Sequence, residues 1–300
     1  MNIRQSFEGP FRRFGVVYRD ESPEVLSIIE RLRIWSDSEG IELVLEGGAG
    51  EDGQRQLDVT TDAFDLLVAL GGDGTFLRAS RLVVGTETPV LGINLGRLGF
   101  LTAVPLESLE EGLAEVIAGK AMIEPRFRLR AVIQARDEGH SDDFFALNDI
   151  VVHTTGAARV TPISLEVSDR DGKMQEVGSF AADGLIISTP TGSTAYSMSA
   201  GGPIIGPEVE AIAVTPICPH SLSVRPLVLP STVMISVRLD SGGDHQVTVD
   251  GQVVRRLAPG DRVVVKREPV PLSLIRLPEQ SFFDTLRRKL NWANRLPDRT

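Results

Sequence analysis

Over roughly the first 120 residues, short apolar runs alternate with amphipathic segments that have helical spacing. After the first run, Ser22 and Pro23 supply an N-cap and a first helical residue, and Gly40 ends the helical pattern. Helical spacing returns at residues 76–84 and 108–117. Strands that alternate with helices predict βαβ units and a parallel sheet. The strand-like runs cover residues 14–19, 41–45, 65–70 and 89–94.

After Gly119 the apolar positions alternate with polar ones, which is typical of strands with one buried face. Hairpin turns are predicted at residues 171–172 and 241–243. The chain is therefore expected to contain an α/β domain at 1–123, a β-rich domain at 124–276 and a C-terminal helix in 277–300 that packs on the first domain. The predicted strands cover residues 126–135, 144–153, 163–167, 185–188, 233–239, 246–249, 262–266 and 272–275.

The third apolar run continues directly into Gly71-Gly72-Asp73-Gly74-Thr75. Glycines let the backbone approach a ligand closely, and the N-terminus of the following helix favours a phosphate. A loop that only bound phosphate would gain nothing from Asp73, whose charge repels it. A site that takes a proton from a hydroxyl, or that holds Mg²⁺ on a phosphate, needs such a carboxylate. The alternative is a tight turn that Asp73 merely supports.

A second glycine turn, residues 94–100, follows the next predicted strand. Parallel sheets bind ligands just beyond the carboxyl ends of their strands. Both turns are expected at that edge, and their convergence favours a ligand site there.

The net charge, the cysteine count and the length of the apolar runs exclude several classes of protein. A net charge of −10 argues against general binding to nucleic acid or to an anionic membrane, both of which need a basic surface. Cys218 is the single cysteine, so an internal disulfide is excluded and a reducing compartment is expected. The N-terminus has no apolar core typical of a signal peptide, and no apolar run reaches the ~18 residues of a membrane span. We expect a soluble cytoplasmic protein.

Neither of two common phosphate-binding motifs accounts for the chain. Residues 48–53 match G-x-G-x-x-G, but Glu51 and Asp52 would face a pyrophosphate and no apolar helical run follows. We interpret residues 46–58 as an acidic loop. The chain also lacks the lysine-containing phosphate loop of the P-loop enzymes.

A second cluster of polar residues lies at 182–203. Seven serine or threonine hydroxyls fall within residues 188–199, and such an array suits contacts to sugar, base and phosphate. The alternative is a capped helix N-terminus in which these hydroxyls satisfy backbone N–H groups. Ser193 lacks the G-x-S-x-G frame of a hydrolase nucleophile.

Taken in order, these motifs closely resemble the bacterial NAD kinases over roughly residues 65–290. The glycine-aspartate loop alone is shared with lipid kinases and resembles that of phosphofructokinases, and the later motifs narrow the choice. The resemblance is carried by Gly71–Thr75, residues 94–101, Ala146-Leu147-Asn148-Asp149, residues 183–196, residues 219–226 and residues 282–287.

The resemblance implies a Rossmann-like α/β domain, a β-sandwich-like domain and a homodimer or homotetramer. It implies transfer of the γ-phosphate of ATP, or of polyphosphate in some members, to the 2′-hydroxyl of the adenosine ribose of NAD⁺. A divalent cation is required, and we expect Mg²⁺ carried with ATP, since no metal-site spacing of His and carboxylates is visible. Asp73 is the implied general base. The implied nucleotide-binding residues are Gly74, Arg78, Phe100, Asn148, Asp149, Arg159, Asp183, Thr194, Ala195, Tyr196, Ser197, Ser199 and Gln252.

Several of these residues could have a structural role instead of binding a nucleotide. Arg78 and Arg159 could be solvated surface charges, and Asn148 with Asp149 could form a turn. The chain also departs from some relatives at Ala181, where they carry a basic residue that could contact phosphate.

Two other functions would also use part of these motifs. A lipid kinase would share the glycine-aspartate loop, but it would need an acyl pocket or a basic membrane-facing surface. A non-catalytic NADP(H) sensor would have no need of the carboxylate of Asp73.

Overall fold

The computed structural model describes residues 5–7, 9, 11–46, 63–96, 99–135, 141–155, 161–239, 244–258, 260–278 and 281–292. The chain forms two compact units. The first comprises residues 1–125 and 272–300, and the second comprises residues 126–271. The expected fold class is confirmed: an α/β unit is combined with a β-rich unit.

The first unit begins with the alternation of strands and helices that the apolar pattern predicts. β4 is buried along its whole length, as expected for a strand covered on both faces. The strands are β1 (Gln5–Ser6), β2 (Arg13–Tyr18), β3 (Glu42–Leu45), β4 (Leu66–Gly71), β5 (Val90–Asn94), β6 (Val104–Pro105) and β7 (Met122–Arg126). The helices are α1 (Pro23–Glu39), α2 (Asp73–Leu82) and α3 (Leu109–Ile117), the last preceded by a 3₁₀ turn at Leu106–Ser108.

The ends of α1 follow local sequence signals. The hydroxyl of Ser22 accepts a hydrogen bond from the N–H of Val25, and Pro23 is the first helical residue. Gly40 ends the helix in the left-handed conformation, at φ +71°. The predicted helix is confirmed at both ends.

The second unit is a sandwich of two antiparallel sheets. Their orders are β15-β14-β13-β10-β17-β18 and β12-β11-β16-β19-β8-β9, and one buried apolar cluster draws residues from both. α4 (Tyr196–Ser199) follows a 3₁₀ turn at Gly192–Thr194. The strands are β8 (Leu129–Gln134), β9 (Ser141–Ala146), β10 (Asp149–Thr154), β11 (Thr161–Ser168), β12 (Met174–Ala182), β13 (Gly184–Ser188), β14 (Ala211–Ile217), β15 (Leu227–Pro230), β16 (Ile235–Leu239), β17 (His245–Val249), β18 (Gln252–Leu257) and β19 (Arg262–Arg267).

The single strand predicted at residues 144–153 is wrong. The strand is interrupted at Leu147-Asn148, and β9 and β10 on either side belong to different sheets. Backbone N–H groups at the break bond to the side chain of Asp250, which lies about a hundred residues further along the chain. β12, β14, β15 and β18 were not predicted. Of the two predicted hairpin turns, the one at Asp171-Gly172 is confirmed, with Gly172 at φ +80°, and residues 241–243 lie outside the described residues.

The chain then returns to the first unit with β20 (Leu272–Arg276) and α5 (Phe282–Lys289). β20 pairs in parallel with β5, with Leu274 opposite Val90, so placing residues 272–276 in the second domain is wrong. The first sheet has the order β1-β7-β20-β5-β4-β2-β3, with β6 beside β5. Among the described residues, the helices are too short or too polar to cross a membrane.

Candidate active site

β4 ends in the glycine-aspartate loop, and the geometry of this loop depends on its first glycine. A Cβ added to Gly71 would lie 2.2 Å from the hydroxyl oxygen of Thr75, so the strand can meet the helix only with glycine there. Gly72 is the N-cap of α2, and Asp73 is its first residue. The carboxylate of Asp73 therefore lies at the positive end of the helix dipole.

Asp73 is held by the second glycine turn. Its Oδ2 accepts a hydrogen bond from the N–H of Phe100 at 3.1 Å, and its Oδ1 accepts one from the N–H of Leu101 at 3.0 Å. A Cβ on Gly99 would lie 2.1 Å from Oδ1, so this glycine is what lets the carboxylate reach the turn. The Asp73 side chain remains 31% exposed, so it is fixed and still accessible.

The two turns meet because their strands are neighbours in register. Gly71 at the end of β4 lies opposite Asn94 at the end of β5. The side-chain amide of Asn94 shapes the second turn by donating to the carbonyl of Gly96 at 3.1 Å and accepting from its N–H at 3.2 Å. The expectation that both turns lie at one edge of the sheet is confirmed.

Arg78 lies on α2 and is paired within the first unit. Its Nη2 lies 2.9 Å from Oε2 of Glu46 and also donates to the carbonyl of Tyr18. Burial raises the pKa of Glu46, and the charge of Arg78 opposes that rise. Arg78 is thus more than a solvated charge, and its contact with a nucleotide stays a prediction.

A cavity of about 250 Å³ lies in the first unit between the second glycine turn and α5. The polar side chains that line it are those of Asn94, Thr102, Arg276, Ser281, Asp284, Thr285 and Arg288. No role was predicted for these side chains from the sequence, although Asn94, Asp284 and Thr285 fall within motifs that carry the family resemblance.

In the second unit, Asp250 organises the backbone at Asn148 and Asp149. Its Oδ1 accepts hydrogen bonds from the N–H groups of Asn148 at 2.8 Å and Asp149 at 3.2 Å, and its Oδ2 accepts one from Leu147 at 3.1 Å. Asp250 itself has a left-handed backbone, at φ +48°, which aspartate tolerates better than most residues. Leu147 and Asn148 thus form a turn that leads into Asp149, the first residue of β10, and the N–H groups of all three residues are held by Asp250.

The hydroxyl-rich segment packs against this turn. The N–H of Thr189 donates to the carbonyl of Asn148 at 2.9 Å, and its hydroxyl donates to the carbonyl of Leu147 at 2.5 Å. A Cβ on Gly192 would lie 2.0 Å from the carbonyl oxygen of Asn148. The second unit thus brings two of its predicted motifs together.

Within that segment, the predicted residues differ in what their side chains do. Tyr196 is 46% exposed, and Ser199 is also exposed. The hydroxyl of Ser197 is buried and shares a hydrogen bond with the hydroxyl of Thr215 at 2.9 Å, and Thr194 donates to the carbonyl of Thr191. The hydroxyls of Ser197 and Thr194 therefore stabilise the hydroxyl-rich segment itself, and their contacts with a nucleotide stay predictions.

The remaining predicted residues are more scattered. Asp183 accepts hydrogen bonds from Thr154 through its carbonyl, and its Oδ1 lies 3.9 Å from Nε2 of His220. Ala195 is half-buried and caps α4, and Gln252 is exposed at the start of β18. Arg159 lies outside the described residues.

Asp149 is the titrating group of this turn. It is only 4% exposed, and burial, with a smaller contribution from the charge of Asp250, raises its pKa from 3.8 to about 7. A carboxyl group that keeps its proton to about pH 7 can donate a hydrogen bond as well as accept one.

This raised pKa predicts how stability depends on pH. Between about pH 4 and pH 7 the folded chain binds a proton at Asp149 that the unfolded chain releases, so the free energy of unfolding falls as pH rises. Asp149→Asn removes this dependence. The free energy of unfolding of the variant minus that of the original chain should therefore increase by up to about 4 kcal/mol from pH 4 to pH 8.

Urea unfolding at both pH values checks this prediction. Asp171→Asn, in an exposed turn, is the matched control and should keep the original slope. The same slope in Asp149→Asn would contradict the assignment.

Comparison with known proteins decides the family. Residues 14–121 match the ATP-NAD kinase N-terminal domain, and residues 147–277 match the ATP-NAD kinase C-terminal domain. The chain belongs to the NAD kinase family. An NAD kinase of Gemmatimonas aurantiaca is 46% identical over 244 residues, which span 81% of this chain and 82% of that protein. An NAD kinase of Heliobacterium modesticaldum is 42% identical over 281 residues, 92% of this chain and 97% of that protein.

Solved structures of NAD kinases have the same fold. The crystal structure of yeast NADH kinase complexed with NADH matches with a TM-score of 0.83 at 27% identity, over 97% of this chain and 90% of that one. An NAD kinase from Archaeoglobus fulgidus in complex with ATP matches with a TM-score of 0.71 at 25% identity, over 94% of this chain and 100% of that one. The chain is therefore an enzyme that phosphorylates NAD in an ATP-dependent reaction, and the lipid-kinase and sensor alternatives are not favoured.

Proposed function

We propose that this NAD kinase transfers the γ-phosphate of ATP to the 2′-hydroxyl of the adenosine ribose of NAD⁺, with Asp73 as the general base. The observation that carries the proposal is the position of this carboxylate. It lies at the carboxyl edge of a parallel sheet and the N-terminus of α2, is oriented by two backbone N–H groups, and is about a third exposed. Such an edge is where open α/β sheets bind their ligands.

The proposed step is a direct phosphoryl transfer from ATP to NAD⁺. The 2′-oxygen forms a bond to the γ-phosphorus, the bond from that phosphorus to the bridging oxygen breaks, and ADP leaves with the electron pair. The proton of the 2′-hydroxyl passes to the carboxylate of Asp73. Because phosphoryl transfer depends mainly on positioning and charge neutralisation, the base orients the hydroxyl and accepts its proton late.

Gly74 supports a close approach of substrate to this loop. Apart from its chain neighbours and the backbone of its own helix, a Cβ at Gly74 would meet no atom of the chain within 4 Å, and the φ of Gly74 is not left-handed. Neither the space inside the chain nor the backbone therefore requires glycine. We propose that the substrate fills the space beside it.

Gly74→Ala is therefore expected to separate stability from activity. Alanine should stabilise α2 by about 0.5–1 kcal/mol, because glycine costs that much inside a helix. The added methyl group should displace the reacting groups by about 1 Å and lower kcat/KM by about 10²-fold. Thermal unfolding and steady-state kinetics check both signs. A more stable variant with unchanged kcat/KM would contradict the proposed approach.

We propose that the turn at Asn148 and Asp149 contacts the adenine and ribose of NAD⁺, and that the exposed ring of Tyr196 stacks on one of its rings. Asp183, Ala195, Ser199 and Gln252 would add further contacts. The rigid hold of Asp250 on the turn supports this, because a fixed backbone loses less entropy when a ligand binds.

A divalent cation is part of the proposal, and Mg²⁺ would neutralise phosphate charge when it is bound. No group of three His, Cys, Asp or Glu side chains suited to a metal occurs in the described ranges. We propose that the cation arrives with the phosphates of ATP. A homodimer or homotetramer in the cytoplasm is likewise proposed.

The test incubates the purified chain with NAD⁺, ATP and Mg²⁺ and detects product with an NADP-specific dehydrogenase. This coupling enzyme reports the 2′-phosphate, so it tests the position of transfer as well as the reaction. Parallel reactions replace ATP with polyphosphate, or NAD⁺ with a diacylglycerol. We expect NADP⁺ from NAD⁺ and no phosphorylated lipid. Absence of NADP⁺ with every donor and cation would refute the proposal.

A further inference from the structure

α5 presents two different faces within the first unit. Ser281, Asp284 and Arg288 line the cavity described above. Phe282, Leu286 and Lys289 are spaced by four and three residues and therefore share another face. On that face, Leu286 is buried, and the Phe282 ring centroid lies 6.0 Å from that of Phe100.

Lys289, the last residue of α5, lies beside the proposed base. Its Nζ is 3.8 Å from Oδ2 of Asp73 and 4.8 Å from the centroid of the Phe100 ring. The ammonium group is thus held over an aromatic face while it remains a third exposed. The same Phe100 donates its backbone N–H to Asp73, so one residue orients both the acid and the amine.

The pairing with Asp73 alone does not account for this lysine. A partly exposed ion pair contributes about 0–1 kcal/mol to stability. A lysine that served only Asp73 would therefore add little stability.

An incoming phosphate changes this balance. In a chain of net charge −10, a cation beside the carboxylate offsets the repulsion between Asp73 and the phosphate oxygens. Lysine is a common phosphate ligand that acts as a point charge on a flexible stem. The stem lets the ammonium group turn from Asp73 to a phosphate beside it.

We propose that Lys289 is a further catalytic residue, which binds the γ-phosphoryl group during its transfer and so keeps charge beside Asp73 balanced. The inference rests on the function proposed above and extends it to α5. Lys289 acts only as a hydrogen-bond donor and keeps its proton, so the proton of the 2′-hydroxyl still passes to Asp73.

Three variants test the proposal: Lys289→Met, Lys289→Arg and Arg287→Met. Arg287 lies on the same turn of α5, is exposed and pairs with Asp284, so it is the matched control. Initial rates of NADP⁺ formation are measured with ATP varied at saturating NAD⁺, and then with NAD⁺ varied at saturating ATP. ATP binding is measured separately by calorimetry, and thermal unfolding is recorded for each variant.

In Lys289→Met, we expect kcat/KM for ATP to fall about 10- to 100-fold, the loss typical of one charged hydrogen bond. The KM for NAD⁺ should change by less than about twofold, since Lys289 is proposed to contact the γ-phosphoryl group of ATP and not the ribose of NAD⁺. Lys289→Arg should recover most of the loss because it keeps the charge, and Arg287→Met should behave like the original chain.

Three results would overturn the proposal: Lys289→Met behaves like Arg287→Met, it has a higher kcat, or its activity falls for both substrates in step with its stability. Failure of the underlying function is distinguishable. If the original chain forms no NADP⁺ but binds ATP less tightly after Lys289→Met, the NAD kinase reaction fails and the phosphate contact stands.

Discussion

Replacing Asp73 with asparagine should lower kcat by about 10²- to 10⁴-fold, the range that general base catalysis contributes. Asparagine has nearly the same size but cannot take up the proton of the 2′-hydroxyl. Its amide oxygen can still accept one of the two backbone N–H groups that the carboxylate accepts now, so the loss in stability should be about 1 kcal/mol. Steady-state kinetics and urea unfolding measure the two effects.

Asp65→Asn is the matched control for this variant. Asp65 lies just before β4, at the opposite end of the strand from Asp73, and its Oδ2 also accepts two backbone N–H groups, from Arg12 and Arg13. The control should lose similar stability and keep its activity. Equal activities of the two variants would show that Asp73 has a structural role only.

Replacing Arg128 with methionine should lower the free energy of unfolding by about 3–5 kcal/mol, the cost of leaving buried charges without their partner. Arg128 is 1% exposed, and this burial lowers the pKa of its guanidinium group to about 10. The charges of Glu268 and Asp250 oppose the decrease. Arg128 therefore stays charged at neutral pH. Because Asp250 holds the turn at Asn148, the variant should also bind NAD⁺ more weakly.

Arg130→Met is the control for Arg128→Met. Arg130 lies two residues further on, in β8, is only partly buried and pairs with Asp143. Its loss should cost about 1 kcal/mol or less, as for other exposed ion pairs. Urea unfolding at neutral pH compares the two, and equal losses would contradict the role given to the buried charge.

Much of the first unit could be predicted because its signals are local. The caps at Ser22 and Gly40 fix α1, and the apolar run of β4 with the glycines after it fixes the loop of Asp73. The register of β4 and β5 then follows from the general topology of parallel sheets, so the meeting of the two glycine turns could be predicted as well.

The rest depends on contacts between residues distant in sequence. Nothing near residue 147 indicates that Asp250 will take up its N–H group and break the predicted strand. The placement of β20 depends on its parallel pairing with β5, which lies about 180 residues earlier and which nothing in the local pattern of β20 indicates. Lys289 follows two arginines in a basic helix end, and only the fold distinguishes it by placing it beside Asp73.

The most direct test of the central claim is a crystal structure of the Asp73→Asn variant with NAD⁺ bound. The side-chain oxygen at position 73 should lie about 2.6–3.2 Å from the 2′-oxygen of the adenosine ribose, within reach of its proton. If the 2′-hydroxyl instead faces another carboxylate or histidine, out of hydrogen-bond reach of position 73, then Asp73 is not the base and the account fails.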